Sequence, residues 1–307
     1  MLTNTAKLVQ KIIQKIGLQE QFAKSCYLKL ISTPYRFKEA LDIPFNYLLP
    51  DGDYIKLRPQ GQISKALFMG GFEREEIRLF FSFIKPGMNI IDVGANIGIY
   101  TIIADKKLRG DGKIWAFEPS SENYKRLLKN LSLNKCDLVT PVNLGLGNKE
   151  NEELYLRRDT GYGDAERYML PNNKLPSEEL SNIKEQVEGE IVNLTTLDAF
   201  MRKTNNSKVD FIKMDAEGYE YFILQGAKEI LTSNPNVVIM LECTELGTKR
   251  AGHTQQYLYD FLNEFGIDVF YWDIKQRVWG KDKTFLLKAG NIWACRNIEQ
   301  LPTLEDY

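Results

Sequence analysis

Residues 89 to 104, Asn-Ile-Ile-Asp-Val-Gly-Ala-Asn-Ile-Gly-Ile-Tyr-Thr-Ile-Ile-Ala, constrain the fold of this chain more than any other stretch. Ile90, Ile91 and Val93 form a short apolar, β-branched run that predicts a buried parallel strand. Gly94-Ala95-Asn96-Ile97-Gly98 predicts a sharp turn, and Ile99 to Leu108 has helical apolar spacing that stops at Gly110. Strand, glycine turn and helix together build a ligand site in doubly wound α/β domains. The turn brings bare backbone close to a ligand, and the helix aims its free N–H groups at an anionic group. A dinucleotide fingerprint would need glycine at 94, 96 and 99, whereas the chain has Asn96 and Ile99. What stands there is Asp92-x-Gly94-x-Asn96-x-Gly98, an acid followed by small residues two apart. A tight turn that binds nothing is the plain alternative.

Composition narrows the class. The chain has 307 residues, 43% hydrophobic and 26% charged, enough to bury a large core. A formal net charge of -1 argues against a nucleic-acid binder working through a strong positive field. Cys26, Cys136, Cys243 and Cys295 are scattered without a CxxC pair and read as reduced thiols. No apolar run is long enough to span a bilayer and no signal-peptide core stands at the start, so the expectation is a soluble, cytoplasmic protein without a transmembrane segment.

Residues 1–75 read as an N-terminal helical and short-strand cap, 76–297 as the main domain and 298–307 as a tail. Leu8, Val9, Ile12, Ile13 and Ile16 oppose Lys7, Lys11 and Lys15 within residues 5–30, an amphipathic helix that packs on the main domain or meets a membrane or partner. Tyr54-Ile55-Lys56-Leu57-Arg58 alternates as a half-buried strand, and Gly70-Gly71-Phe72-Glu73 leads into a helix through Phe83. Lys113 to Glu118 predicts the second strand of the main domain, ending on an acid before Pro119. Gly94 and Glu118 are separated by close to the roughly 20 residues that ribose recognition requires. A helix from Ser121 to about Asn130, a strand from Val139 to Leu144 and a strand around Leu154-Tyr155-Leu156 follow. Residues 159–190 lose periodicity and read as a lid-like or disordered loop, in which Tyr162, Arg167 and Tyr168 would meet an acceptor.

The second informative stretch is Val209-Asp210-Phe211-Ile212-Lys213-Met214-Asp215-Ala216-Glu217-Gly218-Tyr219-Glu220. It predicts a strand ending at Asp215 and a helix from about Glu220 to Leu231. A lysine inside a strand buried on both faces is costly unless paired or functional. Lys213, Asp215 and Glu217 either brace the loop or orient ligands at the carboxyl edge of the sheet. Asn236 to Glu242 is a fifth strand ending in an acid at the same edge. His253, the single histidine, follows shortly and is a candidate general base. Strands near 267–274 and 291–296 complete a seven-stranded mixed sheet with helices on both faces.

Together, Ile91 to Gly98, Phe117-Glu118-Pro119, Ile212 to Glu220, Leu224-Gln225-Gly226-Ala227 and Leu241-Glu242 resemble the FkbM-like family of methyltransferases over residues 70–296. The resemblance implies a class I, Rossmann-like fold, S-adenosylmethionine as donor and O-methylation of a sugar, glycan or natural-product hydroxyl. It implies cofactor contacts from Gly94, Asn96, Glu118 and Asn143, with Asp215, Glu217 and Glu242 on the acceptor side; Asp92, Ala95, Gly98, Tyr100, Pro119, Leu144 and Asp215 are further cofactor-binding candidates. Catalytic candidates are Lys213, Asp215, Glu217, Glu242 and His253, with His253 or Asp215 as base. Asp215 and Glu242 are the candidate ligands of a Mg2+ ion. The expected partner is a small-molecule or glycan acceptor, with no nucleic acid, and a homo-oligomer is compatible with the chain. Two other readings stay open: a nicotinamide-dependent oxidoreductase on the same fold, and a non-catalytic binding subunit.

Overall fold

The β-branched run before the glycine turn becomes a central strand of a sheet. The computed structural model describes residues 33–59, 61–158, 167–170, 189–281 and 290–304. Internal contacts divide the chain into a small unit, Met1–Tyr47 with Lys56–Phe72, and a large one, Leu48–Ile55 with Glu73–Tyr307. The amphipathic pattern of residues 5–30 lies outside the described residues.

The small unit is held by aromatic packing. A helix at residues 33–40, two short strands β1 (Phe45–Leu48) and β2 (Tyr54–Leu57), and a helix Gly61–Phe68 occur in this part of the chain. The rings of Tyr35, Phe45 and Phe68 meet at 5.3 to 6.4 Å. The Tyr35 hydroxyl donates to the Gly61 carbonyl at 2.9 Å and lies 2.6 Å from Ser64 Oγ.

In the large unit the strands are β3 (Asn89–Val93), β4 (Lys113–Phe117), β5 (Val139–Val142), β6 (Gly145–Leu146), β7 (Glu152–Arg158), β8 (Arg167–Leu170), β9 (Gly189–Thr195), β10 (Phe211–Met214), β11 (Val238–Glu242), β12 (Asp268–Asp273), β13 (Val278–Gly280) and β14 (Asn291–Cys295). The main sheet runs β13-β12-β14-β11-β10-β3-β4-β5. β5, β4, β3, β10 and β11 are parallel, and β14 is antiparallel to both its neighbours. The chain enters at β3, winds outward to β5, then returns to β10 on the other side of β3. That reversal opens a crevice at the carboxyl ends of β3 and β10, where doubly wound sheets bind ligands. An antiparallel β14 inserted beside β11 sets this sheet apart from the dinucleotide-binding order.

Three features differ from the expectation. The sheet has eight strands instead of seven, because Val278–Gly280 pairs with β12; three residues are too few to carry a readable alternation. The helix expected from Glu220 to Leu231 is two helices, Glu220–Gln225 and Lys228–Ser233. Gly226 separates them, and a Cβ there would stand 2.1 Å from the Gly147 carbonyl oxygen, so a side chain cannot fit at this break. Within the span expected to be loop, Arg167–Leu170 is a strand paired with β7, in a second sheet ordered β6-β9-β7-β8. The rest of that span, 159–166 and 171–188, with Tyr162, lies outside the described residues. Among the described residues no helix is long and apolar enough to cross a membrane.

Candidate active site

The turn after β3 is built against the chain's second informative stretch. Gly94 has φ +71°, and a Cβ there would stand 1.9 Å from the Asp215 carbonyl oxygen, so only glycine fits. The amides of Gly94 and Ala95 both donate to the Phe117 carbonyl at 2.9 Å, and the Asp215 amide donates to Val93 at 3.0 Å. Backbone contacts thus gather the ends of β3, β4 and β10 into one edge.

Glu118 ends β4 as expected and is buried. Its carboxylate accepts from the Asn96 amide at 2.8 Å and the Ser120 amide at 2.9 Å. Burial lifts its pKa to about 7, against the pull of those two N–H groups. A carboxylate has room for about four hydrogen bonds, so acceptor capacity remains for hydroxyl donors. Exposed Asn143 donates its amide to the Glu118 and Pro119 carbonyls at 2.8 and 3.0 Å, and half-buried Leu144 follows it.

Lys213 is the centre of the opposite half. It is buried on β10, in register with Asp92 on β3. Its Nζ lies 3.8 Å from Asp92 Oδ1, 3.4 Å from Asp215 Oδ2 and 3.5 Å from the Gly94 carbonyl oxygen. Burial opposes the charge, yet Asp215, Asp92 and Glu73 together hold the ammonium above the ordinary lysine range. Asp92 Oδ2 accepts from Thr101 Oγ1 at 2.5 Å, while Oδ1 has no hydrogen bond. The Tyr100 ring lies 5.0 Å from Lys213 Nζ, and its hydroxyl donates to Glu73 Oε2 at 2.6 Å.

Carboxylates crowd around this lysine. Ligand oxygens of Asp215, Glu217 and Glu242 lie within 4.8 Å of one another, all on half-buried residues. Burial, then the charges of Asp215, Glu220 and Glu73, push Glu242 up to about 8. Glu220 Oε1 accepts from the Ala216 amide at 2.7 Å, Oε2 has no hydrogen bond, and burial raises the group to about 7.

His253 takes another place. Its Nε2 is 2.8 Å from the Gly218 carbonyl oxygen, its Nδ1 is 3.2 Å from that of Thr254, and its ring packs on Tyr221 and Phe222. Both ring nitrogens face backbone carbonyl oxygens in a buried setting. Through these contacts the residue braces the Gly218 turn. Arg167, expected to meet an acceptor, instead joins Glu122 at 2.5 Å and Glu190 at 3.8 Å. Tyr168 is buried beneath the Arg250 guanidinium, 4.6 Å from its ring.

Three residues gain a place that the sequence reading did not give them. Glu73 reaches the site from the helix before β3, Glu220 from inside the motif, and Glu190 from β9. Glu190 accepts from Ser120 Oγ at 2.9 Å and from the Ser121 amide and hydroxyl, the latter at 2.6 Å. The one local signal for Glu73 was an acid directly after Gly70-Gly71-Phe72 at a helix start.

Comparison with curated proteins gives no match. Among solved structures the chain is similar to the methyltransferase FkbM of Methylobacillus flagellatus KT, at 14% identity and TM-score 0.40, over 76% of this chain and 52% of that one. It thus spans about half of that protein. It is also similar to precorrin-6y C5,15-methyltransferase of Geobacter metallireducens, at 15% identity and TM-score 0.36, over 73% of this chain and 87% of that one. A third is a SAM-dependent methyltransferase of Aquifex aeolicus, at 17% identity and TM-score 0.36, over 73% and 88% of the respective chains. The family model of the methyltransferase FkbM domain matches residues 92–269, more than half of the chain, from Asp92 of the glycine turn into β12. The chain belongs to the FkbM methyltransferase family.

Proposed function

We propose that this protein transfers a methyl group from S-adenosylmethionine to a hydroxyl oxygen of a sugar, glycan or natural-product acceptor. The observation that carries the reading is the pairing across the switch point of buried Glu118, beside the Gly94 turn, with the carboxylates of Asp215, Glu217 and Glu242. The donor set fits the cofactor. Glu118 has acceptor capacity left that would take ribose hydroxyls, Pro119, Asn143 and Leu144 would hold the adenine, and the turn from Asp92 through Gly98, with Tyr100, would hold the amino-acid end. When bound, S-adenosylmethionine supplies a methyl group already activated by its sulfonium. The chain must then align the acceptor and remove one proton. Asp215 takes that proton, Glu217 and Glu242 hold the hydroxyl, and Lys213 fixes the Asp215 carboxylate from the buried side.

Isothermal titration with S-adenosylhomocysteine tests the reading. Micromolar binding that weakens at least about tenfold in Glu118→Ala supports it. Absence of heat, with a melting temperature that rises on adding a nicotinamide dinucleotide, replaces it with the oxidoreductase. The 4.8 Å carboxylate group favours one variant of the mechanism, in which a divalent cation held by Asp215, Glu217 and Glu242 fixes the acceptor hydroxyl. Full turnover after chelation removes that variant and leaves the first.

A further inference from the structure

Glu73 is held in a conformation that its own helix does not require. It is the N-cap of the helix Arg74–Phe83, with left-handed backbone at φ +34° and ψ +46°, and its side chain caps nothing. Glutamate is a poor N-cap residue, and the left-handed region is unfavourable for any residue with a Cβ. The helix already carries Glu75 and Glu76 in its first turn, so its dipole has acids without Glu73. The carboxylate goes to the Tyr100 hydroxyl, at 2.6 Å. The Tyr100 ring lies against Lys213, and Lys213 reaches the Gly94 carbonyl and the Asp215 carboxylate at 3.5 and 3.4 Å. Left-handed non-glycine residues persist where the surroundings hold them, and they gather at functional sites.

We propose that Glu73 and Tyr100 are positioning residues of the cofactor site: together they seat Lys213 so that it fixes the Gly94 carbonyl and the Asp215 carboxylate at the edge of the turn. This rests on the methyltransferase reading above. A hydrogen-bonded pair that acts on a third group leaves a signature of coupled, non-additive losses.

The experiment is titration of the full chain with S-adenosylhomocysteine, with thermal melts in parallel. Glu73→Ala and Tyr100→Phe each weaken binding about tenfold, and the double variant is no weaker than the worse single one. Glu73→Gln keeps an acceptor oxygen for the phenol and stays within about threefold of the unaltered protein. The variant Glu73→Gly with Tyr100→Phe removes the backbone strain and the orphaned hydroxyl together. It melts no lower than the unaltered protein yet binds weakly, which a purely structural pair would not do. Unaltered binding that persists within about twofold in every variant overturns this proposal alone. If the unaltered protein does not bind S-adenosylhomocysteine, the methyltransferase reading falls and this proposal falls with it.

Discussion

Lys213 and Asp92 stand opposite each other on neighbouring parallel strands, their charged atoms 3.8 Å apart in the buried middle of the sheet. Removing one partner of a buried pair strands the other in a medium that cannot solvate it. Lys213→Met therefore destabilises the protein by about 3–5 kcal/mol, while adding Asp92→Asn to it recovers a large part of that loss. Urea melts of the two single variants and the double variant measure this. A double variant as unstable as the sum of the singles would show that the pair is not coupled.

Gly94→Ala drives a Cβ into the Asp215 carbonyl oxygen, at 1.9 Å, and forces alanine to φ +71°. The neighbour is backbone and cannot swing aside. Stability falls by about 2 kcal/mol or more, and cofactor-analogue binding falls with it because Asp215 is displaced. Melts and titration on the same sample check both parts.

Asp215 and His253 separate by readout. Under the proposed mechanism Asp215→Asn lowers methyl transfer by about 10²–10⁴-fold and leaves the fold intact. His253→Ala removes a buried partner of the Gly218 carbonyl, costing about 1–3 kcal/mol of stability, with turnover reduced far less. A rate loss in the histidine variant equal to that of the aspartate variant would point to His253 as the base.

The pH dependence of stability has a definite sign. Glu118, Glu220 and Glu242 sit at about 7, about 7 and about 8 in the folded protein, raised from a reference of 4.5 by burial. The folded state holds protons that the unfolded chain has released, so stability is full below about pH 4.5 for these groups and declines as pH rises toward 8. Glu242→Gln removes one contributor. It melts above the unaltered protein at pH 8, by about 2–4 °C for each kcal/mol relieved, and the gap closes toward pH 5. Parallel melting curves at both pH values would refute this.

What could be read from residues alone was whatever is encoded locally. The turn after Val93, the acid closing β4 and the acids closing β10 and β11 are each announced by a short, mostly apolar run meeting glycine or a carboxylate. Lys213 was marked by its cost inside an apolar strand, and Asp92 does stand beside it. Glu73 was not readable in its role, because its partner Tyr100 is 27 residues away and nothing near it names that partner. The contact of His253 with the Gly218 carbonyl was not readable either, because that carbonyl lies 35 residues away. Arg167–Leu170 was hidden by length, since four residues among glycines, prolines and asparagines show no period.

One consequence of Glu190 concerns modularity. The strands β7 to β9 form a second sheet with β6 that looks like a separable appendage. Yet Glu190 accepts three donors from Ser120 and Ser121 at the start of the Ser121–Asn134 helix, and Arg167 ties Glu190 to Glu122. These seams lie within four residues of Glu118. A transplanted accessory sheet must therefore bring an acid and a guanidinium to the same two places. Without them it leaves unfilled donors beside the buried Glu118 carboxylate, and the recipient inherits a damaged edge.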